Sequence, residues 1–148
     1  MSDEAQKRVY HFDEGVISIP RGFVDRSTHT LEWPVDNSSS LTLVVQRQRL
    51  AWGSFDDLVD RETREYPARY LGFKAEETEY PDPFGGSMPI RHFAFRWKSE
   101  LDVLYNHQAF VYSAPLVLIF IVSAKALHRE RADQLMKEAL SGLRFREE

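Results

Sequence analysis

The sequence predicts an α+β fold, with one curved antiparallel sheet and two helices on one face of it. Segments with the two-residue alternation of strands dominate the chain, only two segments have helical spacing, and turn residues separate the strands closely. A chain of 148 residues is long enough to form one domain with its own core. We expect residues 1–8 to be a disordered N-terminal segment and residues 9–148 to form that domain.

The first half of the chain is predicted to hold four strands and one helix. The strand segments are residues 9–12, 16–19, 27–33 and 41–48, and the first two flank a turn at hairpin spacing. The helix follows Ser54, whose spacing to Asp57 fits a capping box, and Pro67 should end or kink it. Its apolar residues share one stripe: Phe55, Leu58, Val59 and Tyr66.

The second half is predicted to hold four strands and the C-terminal helix. An edge strand at residues 73–79 precedes a turn-rich loop at 81–87, and three strands follow at 88–97, 101–112 and 116–122. Residues 126–143 have helical spacing, with one apolar stripe formed by Leu127, Leu135, Met136, Ala139, Leu140 and Leu143.

The strand at residues 116–122 is apolar at all seven positions. Because side chains alternate between the two faces of a strand, this strand has to be covered on both sides. Leaving one face in water would cost about 1.5–3 kcal/mol for each large side chain. With both helices expected on the other face, we predict that a second copy of the chain supplies this cover, as a homodimer.

Composition excludes several classes of function. A net charge of −4 argues against binding of nucleic acid, and the absence of cysteine excludes thiol catalysis and cysteine-bound metals. The five histidines have no metal-ligand spacing, and no catalytic constellation is visible, so we predict no enzyme activity, no metal and no cofactor. The polar start and the short apolar run predict a cytoplasmic protein without stable membrane insertion.

Two polar residues lie where apolar ones are expected. Glu62 falls on the apolar stripe of the first helix, where it either reaches an edge, pairs with an arginine, or stands at the rim of a hydrophobic site. Gln108 lies among large apolar residues on one face of the strand at 101–112. That face is either a wet sheet edge or a groove for an amphiphilic helical ligand.

Short motifs along most of the chain, from Tyr10 to Phe145, resemble one family. They are YHFDEGVISIP at residues 10–20, DRS at 25–27, LVVQR at 43–47, FDDLV at 55–59, LGF at 71–73, FRW at 95–97, HQAF at 107–110, and the apolar run ending at Val122. In this order and spacing they resemble the DcrB-like proteins and, within them, the effector-associated (Eag) chaperones of bacterial type VI secretion. The resemblance implies a Mog1/PsbP-like fold.

The resemblance also implies binding rather than catalysis. Eag chaperones are dimers whose sheets hold the hydrophobic transmembrane helices of an effector's N-terminal region before export. By position, the family's partner-binding contacts fall on five residues of this chain: Thr28, Thr30, Val44, Glu62 and Gln108. The two threonines replace larger aliphatic residues, and Glu62 stands where an amide can occur.

Two other functions compete with a chaperone on the sequence alone. An immunity protein that neutralises a cognate toxin would also be small and acidic, but it would present a compact charged patch instead of an apolar groove. A small-ligand-binding protein could share the same fold, because fold does not determine function. It would need a closed pocket with convergent titratable groups, and the sequence shows none.

Overall fold

The computed structural model describes residues 7–12, 15–20, 28–36, 39–50, 53–77 and 89–143. Eight strands and three helices lie in these ranges. They are β1 (Lys7–Phe12), β2 (Gly15–Pro20), β3 (Thr28–Pro34), β4 (Ser40–Arg49), α1 (Phe55–Arg64), α2 (Tyr66–Arg69), β5 (Lys74–Glu76), β6 (Ile90–Lys98), β7 (Val103–Ser113), β8 (Leu116–Lys125) and α3 (Arg129–Ser141). A 3₁₀ turn, Ala126–His128, leads into α3.

Six of the strands form one antiparallel sheet in the order β3-β4-β8-β7-β6-β5. The hairpin of β1 and β2 is a separate two-stranded ladder. The predicted α+β class and antiparallel sheet are therefore confirmed. β1 begins at Lys7, two residues inside the segment that we expected to be disordered, and the predicted loop at 81–87 lies outside the described residues.

Ser54 and Pro67 bound α1 as the sequence predicts. Ser54 caps α1, with its hydroxyl accepting from the Asp57 backbone N–H while the Asp57 carboxylate accepts from the Ser54 N–H. Pro67 lacks a backbone N–H, so it cannot continue α1, but it fits the first turn of the short helix α2.

The helices lie on opposite faces of the sheet, so the prediction of two helices on one face is wrong. Met136 and Leu140 of α3 pack with Tyr105 and Ala109 of β7 and with Phe120 of β8. Residues of α1 pack instead with side chains of the opposite parity, in a second cluster: Phe55, Leu58, Val59, Phe110, Val117 and Ile119. Helical periodicity shows which residues of a helix are buried, but it contains no information about the face of the sheet that buries them.

This arrangement covers β8 on both sides within one chain. Phe120 and Val122 face α3, whereas Val117 and Ile119 face α1, and all four are buried. The apolar strand therefore needs no partner, and the physical argument from it to a homodimer fails. A homodimer stays a prediction that has to rest on another surface.

Candidate ligand-binding face

Among the described residues, α1 covers only part of the width of its face of the sheet. On β7 and β8, α1 buries Phe110, Val117 and Ile119. Beside them, side chains of β3, β4 and β8 on the same face are exposed or half-buried, and we call this set the open strip: Thr28, Thr30, Thr42, Val44, Gln46 and Ile121.

The strand register aligns three of the five predicted site residues. Thr30 lies opposite Val44, Val44 opposite Ile121, and Ile121 opposite Gln108. Opposed residues in antiparallel strands point to the same side, so this row crosses four strands on the α1 face. Thr28 lies opposite Gln46 in the neighbouring row of the same face.

Val44 is half-buried and belongs to neither of the two core clusters. Its neighbour in sequence, Val45, packs instead against the cluster beneath α3. Around Val44 the open strip presents short hydroxyl side chains together with the aliphatic Ile121. The strip therefore offers a narrow apolar centre edged by hydroxyl groups that can both donate and accept hydrogen bonds.

Gln108 lies at the covered end of this row and is only 2% exposed. Its Oε1 accepts a hydrogen bond of 2.8 Å from the hydroxyl of Tyr66, the first residue of α2. Burial raises the pKa of Tyr66 to about 12, the bond to Gln108 opposes that rise, and the negative charge of Glu62 adds to it. At neutral pH the Tyr66 phenol is therefore protonated and donates to Gln108.

Glu62 is half-exposed on α1, on the same stripe as Val59 and Tyr66. Its negative charge raises the pKa of the Tyr66 phenol, which donates to Gln108. The five predicted residues are thus on or beside one face: two exposed threonines, a half-buried valine, a half-exposed acid and a buried amide. Whether they contact a ligand stays a prediction.

An aromatic cluster closes the other half of this face. Its members come from α2, β6 and the segment leading to β5: Tyr66, Tyr70, Phe73, Phe93, Phe95 and Trp97. Asn106 is buried beside it and accepts a 3.1 Å hydrogen bond from Trp97 Nε1. Both amides of β7 thus have fixed partners, as buried polar groups require.

A polar network on the opposite face fastens α3 to the sheet. Asp133 Oδ1 accepts from the Tyr105 hydroxyl at 2.6 Å and from His107 Nδ1 at 3.0 Å. With that tautomer, His107 Nε2 accepts from His92 Nδ1, 2.9 Å away. Pairing of β6 with β7 brings together two histidines that the sequence leaves 15 residues apart.

Further contacts around this network join α3 to the sheet. Arg129 of α3 pairs with Glu76 of β5 at 3.2 Å and lies over the Tyr105 ring. His107 and Tyr105 are completely buried beneath α3. In the described ranges no group of three or more histidine, aspartate or glutamate residues is arranged to hold a metal ion.

Sequence reasoning missed two residues of the site. Ile121 belongs to the apolar run, where nothing distinguishes it from its neighbours, and only the register of β8 between β4 and β7 places it in the row. Tyr66 reads as an ordinary core residue of the helical stripe. Its bond to Gln108 joins residues 42 positions apart and depends on where α2 lies over the sheet.

Comparisons with known proteins agree with the fold. No curated protein matches the chain. Among solved structures, the chain is similar to the protein of unknown function PA94 from Pseudomonas aeruginosa, with a TM-score of 0.77 and 21% identity over 97% of this chain and 99% of that one. It is also similar to LpqN of Mycobacterium tuberculosis, which is involved in cell envelope biogenesis, with a TM-score of 0.54 and 11% identity over 89% of this chain and 73% of that one.

Both structural similarities concern the fold alone. None of the helices in the described part of the chain is long and apolar enough to cross a membrane.

The DcrB family model matches residues 14–142, which include all six strands of the main sheet and all three helices. The chain therefore belongs to the DcrB family.

Proposed function

We propose that this protein is a cytoplasmic chaperone that binds and shields the hydrophobic transmembrane helices of a type VI secretion effector before export. The observation that carries the proposal is the open strip, an apolar and hydroxyl-lined part of a sheet face that α1 leaves uncovered. Membership of the DcrB family and the resemblance to Eag chaperones support the same function.

The dimensions of the open strip suit one helix. It spans three neighbouring strands, β3, β4 and β8, whose outer members are about 10 Å apart at the usual strand spacing. An α-helix with its side chains is about 10–12 Å across. A helix on the strip would lie beside α1, which would bound it on one side.

The chemistry of the open strip also suits such a ligand. A membrane-spanning helix satisfies its own backbone hydrogen bonds but exposes about 20 mostly apolar side chains, which aggregate in water. Val44 and Ile121 can bury part of that surface, and short threonine side chains allow the helix to approach the sheet closely. Glu62 at the rim accepts hydrogen bonds from donors on the ligand.

The test is co-expression of the chain with the N-terminal helical segment of a type VI effector from the same genome. We expect the segment to remain soluble and to co-purify with the wild-type chain, and to aggregate when it is expressed alone. A segment that stays insoluble in the presence of folded wild-type chain would contradict the proposal.

The same experiment distinguishes a chaperone from an immunity protein. The effector's C-terminal toxin domain is co-expressed with the chain in parallel. A chaperone is expected to bind the N-terminal segment and to leave the toxin active. Binding of the toxin domain with loss of its activity would support the immunity function instead.

A further inference from the structure

Two buried amide side chains lie side by side on the α1 face of β7. Asn106 is 6% exposed and Gln108 is 2% exposed, and residues two apart in a strand point to the same face. The two residues are about 6.8 Å apart along the strand. β8 is the next strand on one side, and its Ser123 and Ile121 lie directly opposite the two amides.

The oxygen of each amide is held by a group that covers the sheet. Trp97 Nε1 donates to Asn106 Oδ1 at 3.1 Å, and the Tyr66 hydroxyl donates to Gln108 Oε1 at 2.8 Å. An indole N–H can only donate, so it fixes the Asn106 amide with its oxygen toward Trp97. The NH₂ group is on the other branch of the amide and points away from Trp97.

The two NH₂ groups are available to a ligand. Among the described residues, neither Asn106 Nδ2 nor Gln108 Nε2 donates a hydrogen bond, and neither belongs to the fully buried polar atoms that lack a partner. Each nitrogen therefore reaches the surface of the α1 face. An NH₂ group has two donors, and a donor in a nearly buried position binds an acceptor more strongly than a donor in open water.

Hydroxyl groups continue this polar site into the open strip. Ser123 lies opposite Asn106, Thr42 lies opposite Ser123, and both hydroxyl side chains are half-buried. The neighbouring row is aliphatic at Val44 and Ile121. A polar row thus runs beside an apolar one, and an amide of β7 stands at the covered end of each.

We propose that Asn106 and Gln108 form a paired donor site that binds two hydrogen-bond acceptors four residues apart on one ligand helix. This inference rests on the proposed function and adds the sequence pattern of the ligand to it. Residues i and i+4 of a helix share a face and are about 6 Å apart along the axis, close to the spacing of the two amides. The acceptors are side-chain oxygens, because a helix uses its backbone carbonyls for its own hydrogen bonds.

The position of the site sets the direction of the ligand and the charge of its acceptors. Both amides lie on one strand, so a helix that meets both runs along the strands, which the width of about 10 Å across the open strip also requires. A carboxylate would lose far more solvation energy in this nearly buried site than an amide or a hydroxyl. The site therefore selects serine, threonine, asparagine or glutamine on the ligand.

Binding of model peptides tests the spacing. Three peptides share an alanine–leucine helix with lysines at both ends: one has two glutamines four residues apart, one has them two residues apart, and one has none. The first two have the same composition and differ in whether the glutamines share a helix face. We expect the wild-type chain to bind the four-residue spacing about tenfold more tightly than the two-residue spacing in a fluorescence anisotropy titration.

Variants of the chain test the assignment of the donors. Asn106→Ala removes one donor and should abolish most of the tenfold preference. Trp97→Phe keeps a ring in the aromatic cluster but removes the N–H that orients the Asn106 amide, so it should reduce the preference as well. The control is Gln134→Ala, exposed on α3 across the sheet, which should keep the full preference. Circular dichroism verifies that each variant is folded.

The outcomes separate this inference from the proposed function. Equal binding of the two glutamine peptides by the wild-type chain, or a full preference in folded Asn106→Ala, would overturn the inference. The proposed function would still stand if the peptide without glutamine bound. Failure of the folded wild-type chain to bind any of the three peptides would contradict the proposed function itself.

Discussion

Val44 and Val45 are neighbours in β4 that point to opposite faces of the sheet, and the two faces differ in how they respond to substitution. Val44 lies in the open strip, outside both core clusters, whereas Val45 packs against the core beneath α3. The same change at the two positions therefore separates ligand binding from folding.

We expect Val44→Asp to abolish solubilisation of the effector segment and to leave the melting temperature nearly unchanged, because the new carboxylate meets water in the free protein. Val45→Asp should cost about 2–4 kcal/mol of folding free energy, because it places an unpaired charge against the core. Thermal denaturation and the co-expression assay measure the two effects. A large loss of stability in Val44→Asp would show that Val44 is a core residue.

Tyr66 gives the protein a specific sensitivity to alkali. Its folded pKa of about 12 lies above the ordinary value of 10 for the unfolded chain. The folded state thus holds the phenolic proton more tightly, so this contribution to stability is complete below pH 10 and is lost as the pH rises to 12.

We expect the melting temperature of the wild-type chain to fall more steeply between pH 10 and 12 than that of Tyr66→Phe. Lysines and the other tyrosines titrate in both proteins, so the difference between the two curves reports Tyr66 alone. Parallel curves would mean that ionisation of Tyr66 is not linked to folding.

Gln108 shows how far sequence reasoning reaches at a single residue. Strand alternation alone shows that Gln108 is an amide among large apolar side chains. From the family resemblance we predicted that this amide contacts a ligand in a groove. In the structure Gln108 is buried, and its Oε1 accepts a hydrogen bond from the Tyr66 hydroxyl. Its first role is therefore to hold α2 against the sheet. That partner could not be predicted, because no short-range pattern specifies how α2 lies on β7.

At the scale of elements, α3 is held by a carboxylate as well as by apolar packing. Asp133 accepts hydrogen bonds from Tyr105 and His107 of β7, and both donors are completely buried. When a buried donor loses its acceptor, the protein loses the solvation energy of that donor as well as the bond.

We expect Asp133→Ala to lower the free energy of unfolding by about 2–4 kcal/mol. Glu138→Ala is the matched control on the same helix, because Glu138 is exposed and its carboxylate accepts a hydrogen bond from the exposed Gln134. It should stay within about 0.5 kcal/mol of wild type. Chemical denaturation compares them, and equal midpoints would show that apolar packing alone holds α3.

The elements themselves were largely predictable. Strand alternation, the Ser54 capping box and the helical spacing near the C-terminus identify the main strands and helices to within a few residues. The faces occupied by the helices were not predictable, because β8 is apolar on both sides and accepts a helix on either. The error about the helices led directly to the failed argument for a partner on β8.

At the scale of the whole molecule, the core beneath α3 extends to Leu41 and Leu43 of β4, whereas the cluster beneath α1, among the described residues, includes no residue of β4. That asymmetry depends on pairing between β4 and β8, strands more than 65 residues apart in sequence, which a local pattern does not specify. The sequence could therefore predict a sheet with an apolar centre, but not that the uncovered part lies at the β3 edge.

The alternation of β4 has a consequence for how such a protein can change over time. Leu41, Leu43 and Val45 are tied to the core beneath α3, whereas Thr42, Val44 and Gln46 face the open strip. Every second position can therefore accept a new side chain with little loss of folding free energy. A duplicated copy of the chain could acquire a different cargo through a few substitutions at alternate positions, while the strand that holds them stays folded throughout.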